Sequence, residues 1–193
     1  MKSLRSVFAY SLLFALLAFV STPAVAQARD QENATPGGSE HPSLKALDAN
    51  NGFRQFRFGM DVRQYHTLKA DTNLEMGGLR YYTLPGENLK VGAAELKCIA
   101  YAFYKGKLAA IFIQTTGLTN SQALCNALHA QYGTGSRSNP YLEYYFWFGK
   151  RVTLSYEQNT RTGAGLVMLL SNELRKQQKH DEARDTKQAR AAL

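Results

Sequence analysis

The 193 residues contain no Gly-x-Ser-x-Gly, no His-Glu-x-x-His, no Cys-x-x-Cys and no glycine-rich phosphate loop. The signatures of the serine-hydrolase elbow, the zincin helix, the thioredoxin-type redox pair and the nucleotide cradle are therefore missing. Cysteine is scarce, with only Cys98 and Cys125. Neither follows the N-terminal apolar run closely, which argues against a lipid-modified N-terminus. Beyond residue 26 no stretch is apolar enough to span a bilayer. Lys and Arg exceed Asp and Glu, 23 to 15, yet form no dense basic block.

What is present starts with an export signal. Lys2 and Arg5 precede the apolar run VFAYSLLFALLAFV, and Ala24-Val25-Ala26 is a small-x-small cleavage site. This order predicts a cleaved signal peptide over residues 1–26 and a periplasmic or secreted location. Removing Lys2 and Arg5 leaves a modestly basic chain. Its excess charge serves solubility, or attraction to an anionic surface. Residues 27–50 are polar and include Pro36-Gly37-Gly38-Ser39, which predicts a disordered linker.

The folded part is organised around residues 101–114, YAFYKGKLAAIFIQ. β-branched and aromatic flanks around Lys105-Gly106 predict a hairpin. The phrase returns at residues 144–157 as YYFWFGKRVTLSYE, matching Phe103 to Phe146, Gly106 to Gly149 and Lys107 to Lys150. With a two-residue turn, Tyr101 opposes Ala110 and Ile99 opposes Phe112. One face then carries Ile99, Tyr101, Phe103, Leu108 and Phe112. The other carries Cys98, Ala100, Ala102, Ala109, Ile111 and Ile113, small residues that would admit a helix.

Around the hairpins, Phe53, Phe56 and Phe58 alternate in an extended entry. Asp61 reads as an N-cap for a short helix over VRQYHTLK. A strand is expected near residues 79–84, while residues 88–94 are ambiguous. SQALCNALHAQY is the best helix, with Leu124, Leu128 and Tyr132 on one stripe and Gly133 at its end. GLVMLLSN is a last strand, and residues 173–193 form a polar tail, helical or frayed. The expectation is a two-layer α+β domain over residues 51–172. It has helices on one face of an antiparallel sheet and a duplicated helix-plus-hairpin unit.

The entry FRFGMDVRQ resembles that of small bacterial envelope proteins. They include the small lipoprotein of the outer-membrane β-barrel assembly machine and the β-lactamase inhibitory proteins. The likeness covers residues 58–64 and the element order, and the lipobox cysteine of the lipoprotein is missing. The wider pattern FGM, YxFYxGKL, YG and WFGK looks like exported bacterial proteins without an assigned activity. The resemblance implies the envelope and non-catalytic binding, and it carries over no catalytic residue.

The candidate chemistry is sparse. Two cysteines in an exported chain predict a Cys98–Cys125 disulfide, the alternative being two separate buried thiols. His129, four residues after Cys125, could add a zinc ligand, but no fourth ligand is indicated. His66 has no acid or nucleophile near it in sequence, while His41 and His180 read as solvated. No cofactor is expected. Tyrosine-rich strands with Lys and Arg could serve single-stranded nucleic acid, but an exported chain rarely meets one. The remaining candidate is an aromatic sheet face away from the helices: Tyr101, Phe103 and Phe112 with Tyr144, Phe146 and Arg151. The reading is a non-catalytic binding module for an envelope protein or an anionic envelope polymer or lipid. The alternatives are an enzyme with a scattered site and a basic structural protein of the envelope.

Overall fold

Lys105 and Gly106 both adopt positive φ, 48° and 78°, so the first hairpin closes in two residues as a type I′ turn. It joins β6 (Ala94–Tyr104) to β7 (Lys107–Thr115). The computed structural model describes residues 42–191, which lie within one compact unit, Glu40–Leu193. The expected signal peptide and most of the expected linker lie outside the described residues.

Around this hairpin the chain forms an α+β fold on one open antiparallel sheet. β3 (Lys69–Met76) and β4 (Leu79–Thr83) precede the hairpin, and the short β5 (Lys90–Val91) pairs beside the start of β6. β8 (Tyr144–Phe148), β9 (Val152–Gln158) and β10 (Gly165–Ser171) follow it. The spatial order is β3-β4-β6-β7-β10-β9-β8, so the last strand inserts beside β7. β1 (Gly52–Phe53) and β2 (Phe56–Arg57) form a separate small ribbon. Among the described residues, no helix is long and apolar enough to cross a membrane.

Helix α1 (Pro42–Asn50) replaces part of the expected linker. Its nine residues would not hold alone in water. Leu47, only 1 % exposed, is buried in the main core and Leu44 packs against it. The expected helix after Asp61 shrinks to a single 3-10 turn, Val62–Gln64, capped by Asp61, whose carboxylate accepts from the Arg63 N–H at 3.0 Å. Helix α2 (Gly117–Tyr132) begins two residues before the Thr119 box and buries Leu124, Cys125, Leu128 and Tyr132. Its Gly133 cap donates to the His129 carbonyl at 2.9 Å. The Trp147 indole in turn donates to the Gly133 carbonyl at 2.9 Å, fastening α2 to β8.

The two sheet faces differ from the expected ones. Near the turn Phe103 opposes Leu108, as expected, but the register then shifts and Tyr101 opposes Ile111 rather than Ala110. The extra residue, Ala109, turns Ile111 and Ile113 to the Tyr101 face and sends Phe112 to the other. α2 covers the Tyr101 face, packing with Ile99, Tyr101, Phe103, Ile111, Ile113, Trp147 and Leu154. The helix follows the larger apolar area. On the opposite face the small residues make room for rings instead. Tyr81 lies level with Ala102 and Phe112 with Ala100, their ring centres 5.9 Å apart.

Helix α3 (Asn172–Ala191) folds back over the turns of the β6–β7 and β3–β4 hairpins. The Asp181 carboxylate accepts from Tyr104 Oη and from Lys105 Nζ, both at 2.6 Å, and Gln178 donates to the Gly77 carbonyl at 2.8 Å. Lys105, then Tyr104, hold the Asp181 carboxyl down at about 2. Because the folded value lies below the unfolded one of about 3.9, this anchor stabilises fully above that value and is lost as pH falls toward 2. Acid titration should therefore release α3 in that window, seen as helix-selective proteolysis. Asp181→Asn should be susceptible already at pH 7. Equal acid profiles for both proteins would refute the anchor.

Candidate binding site at the turn end of the sheet

The β8–β9 turn, Gly149 to Val152, is fixed from two sides by residues far away in sequence. The Asp48 carboxylate of α1 accepts from the backbone N–H groups of Lys150, Arg151 and Val152 at 2.7, 2.8 and 3.0 Å. A Cβ on Gly149 would lie 2.4 Å from Asp48 Oδ1, so only glycine allows this approach. From the other side, the Asn172 amide donates to the carbonyls of Gly149 and Lys150 at 3.0 and 3.1 Å, and its oxygen accepts from Thr153 Oγ1 at 2.7 Å. The turn thus presents Lys150 and Arg151 from a rigid backbone.

These two side chains line a cleft of about 620 Å³ whose other walls include Phe58, Lys107, Leu174 and Lys176. Lys107 is the first residue of β7, and Lys176 lies near the start of α3. The chain FGMD reaches the same place because Gly59 N–H donates to Leu108 O at 2.9 Å and Leu108 N–H to Met60 O at 3.0 Å. Four cations line the cleft against one lining carboxylate, Glu173. Asp61 offsets Lys107 across 3.5 Å, and Arg63, with Lys107 behind it, holds that carboxyl well below the usual range. Arg151 and Lys176 enter no ion pair among the described residues. The positive end of α3 adds to the same field. This arrangement suits an anionic group. It offers no nucleophile with a base beside it.

The structure does not bring the six sequence candidates into one site. Tyr101 and Phe103 are core residues, 0 % and 2 % exposed, on the face that α2 covers. Phe112 is buried on the opposite face by the register shift. Arg151 sits in the β8–β9 turn rather than on the sheet, because that loop is longer than two residues: Phe148 opposes Thr153. Tyr144 and Phe146 do lie together on β8, with ring centres 4.3 Å apart, and Phe148 stacks on Phe146 at 5.5 Å. Phe148 is 58 % exposed and was not among the candidates. Lys107 and Lys150 were also missed as site residues, although the repeated Gly-Lys pairs mark both.

The expected disulfide is absent, and both thiols are free. Cys98 points away from the α2 face, its thiol donating to Gln114 Oε1 at 3.5 Å, whereas Cys125 is buried on α2. The sheet stands between them, so neither a bridge nor a shared zinc can form without rearranging it. Burial pushes both thiols up to about 11. Among the described residues no cluster of metal-binding side chains occurs. His129 instead packs edge-on against Tyr145.

One buried carboxylate resembles catalytic equipment. Glu87 accepts from Tyr101 Oη at 2.5 Å and from Arg54 Nη1 at 3.1 Å. Burial raises its carboxyl, while Tyr101 and Arg54 pull it down. Its partners are locked and it does not line the basic cleft, so it serves to pin the β1–β2 ribbon to the sheet.

No family model and no curated protein matches the chain. A DUF4309 family protein, YjgB, from Bacillus subtilis is similar in structure at 18 % identity, over 66 % of this chain and 77 % of that one. The TM-score is 0.27, an overlap too loose to carry fold or function across.

Proposed function

We propose that the chain is an exported, non-catalytic binding module of the bacterial cell envelope, periplasmic or secreted, that takes an anionic envelope polymer in the basic cleft. One observation supports this above the rest: Lys107, Lys150, Arg151 and Lys176 converge on one cleft from three parts of the chain. Asp48 and Asn172 hold the turn between them rigid, so little ordering entropy is lost on binding. A second reading, an envelope protein as partner, is favoured by the aromatic stripe Tyr144, Phe146 and Phe148 on β8, since exposed aromatics anchor interfaces.

Titration with dextran sulfate, against uncharged dextran, tests the first reading. Binding should occur only to the sulfated polymer and weaken steeply as salt rises, because exposed charges are screened. Arg151→Glu with Lys176→Glu should cost roughly tenfold or more in affinity with little change in Tm. Wild-type affinity in that double variant would remove the cleft from consideration. Loss of binding in Phe148→Ser instead would shift the site to β8.

A further inference from the structure

The positive lining of the basic cleft does not stop at Lys176. Helix α3 is 20 residues long, and residues 182–191 are exposed throughout. Lys176, Lys179, Lys187 and Arg190 are all exposed on it, and none enters an ion pair among the described residues. The four lie along one side. Lys187 follows Lys176, and Arg190 follows Lys179, by eleven residues, close to three helical turns. Between the two pairs the same side carries only the small Ala183. Asp181 and Asp185 fall on the opposite side of the helix.

This stripe differs from an ordinary solvated face. Lys176 with Lys179, and Lys187 with Arg190, are like-charge neighbours three residues apart, an arrangement that weakens a helix. The acids that could relieve them are engaged elsewhere. Asp181 takes Tyr104, Lys105 and Arg184, and Glu182 accepts from Gln178 at 3.0 Å. Arg190, in the last turn, suits the negative end of the helix dipole, but the dipole gives no reason for Lys176 near the positive end. Lys176 also lines the basic cleft, so stripe and cleft form one continuous surface. A bilayer suits it poorly. A helix that lies on a membrane sets bulky apolar side chains beside its cations, and the one large apolar side chain of α3, Leu174, is buried.

We infer that an anionic polymer seated in the cleft continues along α3, its charges matched by Lys176, Lys179, Lys187 and Arg190. This rests on the cleft being the polymer site and adds a length requirement to it. From Lys176 to Arg190 the stripe runs about 21 Å at the helical rise of 1.5 Å per residue. A short anion therefore fills the cleft alone, while a long chain also reaches the outer cations. Each cation contacted releases counterions from the polymer, so the longer contact carries the steeper salt dependence.

Titration with sucrose octasulfate, which occupies the cleft only, and with long-chain dextran sulfate, over a salt series, tests this. Both should bind the wild type, dextran sulfate with the steeper salt dependence. Lys187→Gln with Arg190→Gln should weaken dextran sulfate roughly fivefold at low salt, the effect of losing two exposed charge pairs, and flatten its salt dependence. Sucrose octasulfate affinity and Tm should not change, since Gln and Lys are near-equal helix formers. Arg151→Glu with Lys176→Glu should weaken both probes. Wild-type dextran sulfate affinity in the Lys187→Gln, Arg190→Gln variant would overturn the track and leave the cleft standing. No binding of sucrose octasulfate to the wild type would remove the cleft, and the track with it. Vesicles of phosphatidylglycerol and phosphatidylcholine should not distinguish the wild type from that variant. Vesicle binding lost in the variant would assign the stripe to a membrane surface and overturn the polymer.

Discussion

Phe103→Ala should destabilise the protein by about 3–5 kcal/mol, the range for removing a core aromatic ring. For a domain of this size that lowers Tm by on the order of 10 °C. The Phe103 ring is 2 % exposed and meets Tyr82 edge-on at 5.0 Å and Tyr65 at 6.3 Å. Tyr65, just after the 3-10 turn, and Tyr82 on β4 meet it from two different elements, so the cavity cannot close by moving one of them. Urea unfolding followed by tyrosine fluorescence measures the loss. A cost under about 1 kcal/mol would mean the ring is not in the core, and would restore Phe103 to the exposed face that the sequence suggested.

Asp48→Ala should cost about 2–3 kcal/mol and also weaken polymer binding. Three backbone N–H groups lose a charged acceptor, and hydrogen bonds to charged groups contribute about 1.5–3 kcal/mol each. Water replaces part of this at the outer two, which keeps the total below the sum. The binding loss follows because the turn carrying Lys150 and Arg151 is then held only by Asn172. Denaturation and dextran sulfate affinity, measured on the same sample, separate the two effects. Unchanged affinity with reduced stability would show that Asp48 supports the fold and not the cleft. Asp48→Asn should recover part of the stability, since its amide oxygen still accepts.

The element order was legible in the sequence because local chemistry sets it. Lys105-Gly106 between β-branched and aromatic flanks marks a hairpin turn, and Leu124, Leu128 and Tyr132 mark the buried side of α2. The faces were not legible. One bulged alanine, Ala109, reverses every side chain beyond it, and an alanine in a strand gives no sign of being a bulge. Nor was α1 legible, because PSLKALDAN is held by Leu47 in the core and by Asp48 on a turn about a hundred residues away. Sequence spacing contains neither contact.

The repeat shows both outcomes in one motif. Gly106 and Gly149 match in sequence for different reasons, a positive φ at the first and the close approach of a carboxylate at the second. The lysines that follow them nevertheless meet. Lys107 and Lys150 line the same cleft because the start of β7 and the β8–β9 turn lie at the same end of the sheet. The repeated Gly-Lys pair was therefore visible as a pattern. Its meaning required knowing that β10 inserts beside β7 and draws the two hairpins together.

The sheet that parts Cys98 from Cys125 also frees the chain from any oxidant. Folding here needs no sulfur–sulfur bond to form, so the native state can be reached equally with or without reductant. Neither thiol is an easy target once folded, since Cys125 is enclosed by α2 and the strands and Cys98 is largely covered. An organism making this protein need not commit a thiol oxidase or a disulfide isomerase to it. Its quality control then rests on whether the two hairpins pair around β10, a step that no redox enzyme can correct.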